Sequence, residues 1–473
     1  MRNLDNFFFI WAPSSLKNPM QSKSDGESSP ERVDGFQPRA SDMPLASHGT
    51  HFSDGIGSLP HGVGDGSLVS MRIASGSWDA TTSPHELVTT SPAAGSMTDF
   101  GHLVQSVMLP SRVIASAIRT PFKIAMKGKR RPTWSTEMEI VITAFRSACR
   151  HAPRDLSLLR AFTDVAVPSL LLPRGAVRHE TRLHGLEIEW VFPHSLLKDQ
   201  RGRDADAPSS WMTVSSYEFS NDLVLAWSST HPVVLYLHGG GHALCGPQTH
   251  RNIVASFAVE DVVLCVPNYR RPPEVTIIDA VDDCFSTYRH LVEVIGIPPS
   301  RIAFMGDSAG AALVILTMCR VRDLGLPLPS CAALLSPWSE LDDPEIVAEA
   351  EKGNIMPDHD YLPRDALVMI SRLVVGNMSA QDPRINPMSA DLSGLPKILI
   401  HVGEVELLFD QIVRFYERLR EEGNDVKMKI WVDSVHVPHA FTTVSEEGRA
   451  AVKDAAEYIK KHTGTSPPLA DTS

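Results

Sequence analysis

The chain has 473 residues, 43% of them hydrophobic, with 44 basic against 56 acidic side chains and a formal net charge of -12. That is enough apolar material for a sizeable core, and the length accommodates one long α/β domain with further segments. A chain this acidic repels polyphosphate, which argues against nucleic acid as a partner.

Residues 1–100 are rich in Ser, Gly, Pro, Asp and His and carry few regularly spaced hydrophobes. They offer too little apolar surface to offset chain entropy and are expected to form a disordered, low-complexity extension. The apolar run 7–12 is flanked only by Arg2, with Asp5 beside it, a poor secretory signal. No stretch reaches the roughly 18 uninterrupted apolar residues of a membrane-spanning helix. The segment 103–131 is apolar, dotted with Arg112, Arg119 and Lys123, and ends in Lys127-Gly128-Lys129-Arg130-Arg131. This pattern can support peripheral contact with an anionic membrane, although an ordinary surface helix with solvated charges is the plainer reading.

Helical spacing over 134–151 puts Met138, Ile142, Phe145 and Cys149 on one side, and a short helix is expected over 155–166. From 178 the pattern turns extended, and 187–192 alternates at period two. Apolar strands then alternate with helices: strand 233–237, helix 252–258, strand 262–266, helix 278–295, strand 301–305, helix 309–322 and strand 331–335. After an irregular insertion come strand 398–402, helix 410–422, strand 427–432 and helix 450–462. The pattern predicts an α/β fold with a mostly parallel, doubly wound sheet over 185–465. A helical N-terminal segment over 101–184 precedes it, an insertion over 339–392 interrupts it, and a disordered tail follows at 466–473. The six cysteines (149, 245, 265, 284, 319 and 331) show no CxxC spacing, and several lie in apolar runs. They read as free thiols in a reducing, cytoplasmic setting, and no metal or cofactor site is implied.

Gly306-Asp307-Ser308-Ala309-Gly310 lies between a strand and a helix. A G-x-S-x-G turn in that position exposes the serine hydroxyl at a helix N-terminus, as an acyl-transfer nucleophile requires. His238-Gly239-Gly240-Gly241 follows the strand 233–237, and glycines let backbone N–H groups approach a developing oxyanion. Gly239 and Gly240, with the N–H of Ala309, are the expected donors. The Gly-Lys-Ser/Thr ending of a phosphate loop is missing. An acidic cluster (Glu404, Glu406, Asp410) follows the strand 398–402, and His436 and His439 follow the strand 427–432. Open α/β sheets place their chemistry at these strand ends.

These motifs, together with Asn268-Tyr269-Arg270-Arg271-Pro272-Pro273-Glu274, Ser336-Pro337-Trp338 and Leu395-Pro396, resemble the hormone-sensitive lipase-like branch of the α/β-hydrolase esterases. The resemblance covers roughly 130–460. It implies the α/β-hydrolase fold, a helical cap made by 101–184 and the insertion, and hydrolysis of small-molecule or lipid esters. It also implies Glu406 as the acid, although the family carries Asp there, with Glu404 and Asp410 in reserve. His436 fits the family's spacing from the acid, while His439-Ala440-Phe441 looks more like its H-G-F. An amidase or peptidase using the same groups, or a non-catalytic small-molecule-binding member of the fold, are the alternative readings.

Overall fold

The computed structural model describes residues 97–464 except 154, 167–172, 174, 198–211 and 214–218. The expected disorder of 1–100 and of 466–473 lies outside the described residues, save for 97–100, which begin a helix.

That helix is α1 (Met97–Lys127). α2 (Thr136–His151) packs beside it and is capped by Ser135, whose side chain accepts the Met138 N–H. α3 (Leu156–Ala166) follows. β1 (Ala176–Leu183) and β2 (Leu186–Pro193) form a hairpin. Its two turn residues, His184 and Gly185, both lie at positive φ, as a two-residue hairpin turn requires. The sheet therefore begins before residue 185. β1 is too polar along both faces (Arg178, His179, Glu180, Thr181, Arg182) to signal a strand by hydrophobic alternation.

β3 (Met212–Thr213) and α4 (Asn221–Ser228) lead to the core: β4 (Val233–Leu237), α5 (Arg251–Ala258), β5 (Val263–Pro267), α6 (Ile277–Arg289), β6 (Ile302–Asp307), α7 (Ala309–Asp323) and β7 (Cys331–Leu335). The insertion supplies α8 (Pro344–Glu351) and α9 (Arg364–Val375). β8 (Lys397–Gly403), α10 (Phe409–Glu421), β9 (Val426–Trp431) and α11 (Glu446–His462) complete the fold.

The nine strands among the described residues run in the order β3-β1-β2-β5-β4-β6-β7-β8-β9. β2 is antiparallel to β1 and β5, and every pair from β5 to β9 is parallel. Alternate residues feed two cores. Val233, Leu235, Ile302 and Phe304 join α6, α7 and α10 on one face, while Val234, Tyr236, Ala303 and Met305 join α5 and α11 on the other. β4, β5, β6, β7 and nearly all of β8 are therefore buried on both faces, which is why they read as apolar runs. No disulfide joins any two of the six cysteines. No helix of the described residues is long and apolar enough to cross a membrane.

Candidate active site

Ser308 occupies the single position between β6 and α7, at φ 53° and ψ -122°. Such a backbone costs a residue with a side chain about 1–3 kcal/mol and persists only where its surroundings enforce it. Its N–H donates to Leu335 O at the end of β7 (2.9 Å), and its carbonyl accepts from Trp338 N (3.0 Å). Close approach is essential here: a Cβ on Gly310 would stand 2.0 Å from Leu237 O. Ser308 remains partly exposed at the first turn of α7.

Beside it, the buried Asp307 organises the glycine loop. Its Oδ1 accepts the Tyr236 hydroxyl (2.6 Å) and the Gly239 N–H (3.0 Å), and its Oδ2 faces His250 Nε2 (3.2 Å). Burial would raise the pKa of Asp307, but the charge of His250 and the hydrogen bonds from His250 and Tyr236 bring it down to about 2. The N–H of Gly239 is thus engaged by a carboxylate, which corrects its expected role as an oxyanion donor. Among the described residues, no acceptor engages the N–H groups of Gly240, Gly241 or Ala309. Gly240 and Gly241 sit at φ 112° and 61°. His238 is a buttress: it is fully buried, stacks on Tyr269 at 4.3 Å, and its carbonyl accepts the Tyr269 hydroxyl (2.6 Å). Burial holds its pKa well below the ordinary histidine value.

Glu406 lies in the turn after β8 and His436 in the loop after β9, and both are buried. His436 Nδ1 meets Glu406 Oε1 at 3.2 Å. The other carboxylate oxygen accepts the Ser336 hydroxyl and the Gly403 N–H, each at 2.7 Å. Ser336 Oγ in turn accepts the Val437 N–H (3.0 Å), and Ser336 directly follows Leu335, the partner of Ser308. One serine therefore ties the acid and the histidine loop to the elbow. Burial opposes charging of His436, but the hydrogen bond and charge of Glu406, helped by Asp360, outweigh it and raise the pKa above the ordinary value. With Nδ1 held by the carboxylate, Nε2 is the nitrogen free for proton transfer.

His439 faces elsewhere. It stacks on His401 with Nε2 3.0 Å from His401 Nδ1, and His401 Nε2 reaches Asp454 Oδ2 at 3.0 Å. Burial and the neighbouring His401 push its pKa well below the ordinary value. Glu404 accepts the Asp433 N–H (2.8 Å) and lies 3.8 Å from Arg131, while Asp410 is exposed on α10. Glu406 is therefore the member of the acidic cluster that meets a histidine, and His436 is the histidine it meets.

Two residues of the insertion were not foreseen. Asp360 is fully buried; Oδ1 accepts the His436 N–H (3.2 Å) and Oδ2 the Leu407 N–H (2.8 Å). Tyr361 donates its hydroxyl to His436 O (3.1 Å). Both backbone polar groups of His436 are thus held from one dipeptide. No local motif marks Asp-Tyr in an irregular stretch, so only the fold brings it into view. Three arginines of the N-terminal segment also reach the site's loops. Arg131 pairs with Asp433, Arg146 donates to Asp360 O, and Arg160 binds Ala243 O (2.7 Å) and Glu274 (2.7 Å).

A strained serine elbow on the central strand of a parallel sheet, with a histidine–carboxylate pair supplied after its last two strands, is the layout of an α/β-hydrolase. Known proteins agree. A family model described as alpha/beta hydrolase fold matches residues 234–440. An acetyl-hydrolase of Streptomyces hygroscopicus is 37% identical over 234 residues, covering 49% of this chain and 76% of that protein. Esterase LipU of Mycobacterium tuberculosis is 30% identical over 249 residues, covering 51% and 82% respectively. The crystal structure of an esterase from the bacterial hormone-sensitive lipase family superposes with a TM-score of 0.57 at 27% identity, over 70% of this chain and 99% of that one. The chain belongs to the α/β-hydrolase family, in its hormone-sensitive lipase-like branch of carboxylic-ester hydrolases.

Proposed function

We propose that the protein hydrolyses carboxylic esters through an acyl-enzyme on Ser308, with His436 as general base and Glu406 as its orienting acid. The observation that carries this reading is the buried hydrogen bond between His436 Nδ1 and Glu406 Oε1, anchored through Ser336 next to the elbow. His436 Nε2 takes the Ser308 proton as Oγ attacks the ester carbonyl, and Glu406 stabilises the imidazolium. The N–H groups of Gly240, Gly241 and Ala309 receive the oxyanion. His436 then protonates the departing alcohol, and a water deprotonated by the same imidazole releases the acid.

The helical segment before the sheet and the insertion serve as the cap that shapes the acyl site. In support, the α9 residue Ile370 would stand 2.9 Å from a Cβ on Gly241, so the cap lies directly on the oxyanion loop. The substrates are small-molecule or lipid esters, in keeping with relatives that are named esterases and an acetyl-hydrolase.

The test is turnover of p-nitrophenyl esters from acetate to palmitate, with matched anilides, by wild type and Ser308→Ala. Ester cleavage that disappears in the variant while anilides stay untouched supports the reading. Faster cleavage of anilides would make the protein an amidase, and no turnover by a folded wild type would leave a binding protein.

A further inference from the structure

We propose that the outer face of α1 docks the protein on an anionic lipid surface. The side of this helix that bears Val113, Ala117, Thr120 and Ile124 is partly or fully buried against the protein. On the solvent side, Ile118, Phe122 and Met126 are 51%, 73% and 83% exposed. Spaced by four, they form one stripe along the helix. Large hydrophobic side chains gathered this way on a surface mark an interaction site rather than ordinary exposure.

A second stripe runs alongside. At about 100° per residue, Arg112, Arg119, Lys123 and Lys127 fall in the sector next to the apolar one, and all four are exposed. Among the described residues none of these four has an acidic partner. The arginines just beyond the helix differ: Arg130 pairs with Glu139 and Arg131 with Asp433. The whole chain carries -12, so an anionic surface repels most of the molecule and is attractive at this stripe. An apolar strip lined by unpaired cations is the chemistry that seats in the headgroup and acyl boundary of an anionic bilayer. The helix is not apolar enough to cross that bilayer, so it lies along it.

The position has a consequence for the site. The chain leaves α1 and reaches Trp134, whose Nε1 donates to Asp433 O (2.7 Å), in the loop that leads into His436. A bilayer that holds α1 therefore also holds the rim that carries His436. The docking itself does not depend on the catalytic reading, because it needs only the exposed helix.

The full-length protein is to be sedimented with vesicles of phosphatidylcholine alone and with about 30% phosphatidylserine, at about 0.1 M and 0.5 M NaCl. Phe122→Ser/Met126→Ser and Arg119→Glu/Lys123→Glu are compared with wild type, with turnover of a soluble short ester as the check on folding. We expect binding to the anionic vesicles at least about tenfold above the neutral ones, loss of about tenfold or more in each double variant, and weakening at the higher salt, since each cation near such a surface contributes about fivefold. Equal recovery with both vesicle types, recovery with neither, or binding undiminished in both variants overturns the proposal. So does light scattering that finds a wild-type dimer made monomeric by Phe122→Ser/Met126→Ser, which would assign the face to a second copy of the chain.

Discussion

Asp360 accepts the backbone N–H of His436 at 3.2 Å and that of Leu407, the neighbour of Glu406, at 2.8 Å. A single buried carboxylate thus bridges the turn that carries Glu406 and the loop that carries His436. Burial raises its pKa, so the charge it carries is one the fold holds at a cost. Asp360→Asn keeps one acceptor but turns an NH2 toward a backbone N–H. The expected result is a kcat lower by about ten- to a hundredfold with KM nearly unchanged, since misplacement of a catalytic group by an ångström has that scale of effect. Tyr361→Phe, which removes only the bond to His436 O, should cost a few-fold. Steady-state kinetics on a soluble ester decide both.

The raised pKa of His436 fixes the sign of the pH dependence. A general base works when neutral, so kcat/KM rises as pH increases through that pKa, and its acid limb stands above the ordinary value of about 6.5. Glu406→Gln removes the hydrogen bond to a charged partner and the attraction that oppose burial. The limb should move to lower pH, and kcat should drop by about three orders of magnitude or more. A limb that stays in place in this variant would show that another acid orients His436.

His436 and His439 lie three positions apart in the chain and have different tasks. His436→Ala should lower kcat by about 10⁴-fold or more. His439→Phe keeps a ring against His401 and leaves the pair with Glu406 untouched, so activity should stay within about tenfold of wild type. Its effect belongs in the melting temperature, because the bonds from His401 to His439 and to Asp454 join β8, the histidine loop and α11.

The glycines of the proposed oxyanion loop should separate by role. Gly241→Ala places a Cβ 2.9 Å from Ile370 Cγ2 at φ 61°, and Gly240→Ala one 2.4 Å from Leu244 O at φ 112°. Both should lower kcat by about a hundredfold or more through a displaced donor. Gly239→Ala instead drives a Cβ to 2.3 Å from Asp307 Oδ2, and its main effect should be loss of folded protein. Circular dichroism alongside kinetics distinguishes the two classes.

Much of this site could be read from the chain because it hangs on short segments at strand ends. Ser308 and Glu406 each follow an apolar run that is buried on both faces, and such runs are conspicuous, while His436 follows the half-exposed β9. The direction of an N–H was not readable in the same way. Whether Gly239 or Gly241 points outward depends on Asp307, 68 positions away, and backbone dihedrals of consecutive glycines carry no signature in residue type. Asp360 and Tyr361 were invisible for a related reason, since their partners Leu407 and His436 lie 47 to 76 positions along the chain. β1 was legible only as an extended pattern from 178, because a strand with polar faces has no period to detect, and its hairpin partner reveals it only after pairing.

The three clamps made by Arg131, Arg146 and Arg160 bear on how the molecule can be dissected. The stretch shared with the family model, 234–440, contains every group proposed for the chemistry, and it looks like a natural minimal enzyme. Excised alone, it would leave Asp433, Asp360 and Glu274 without their cations, and it would lack α11, whose Val452, Ala455 and Ile459 fill one of the two cores. Parts that keep the proposed catalytic groups aligned lie outside this stretch on both sides, so a shortened version that still binds an ester is expected to turn it over poorly.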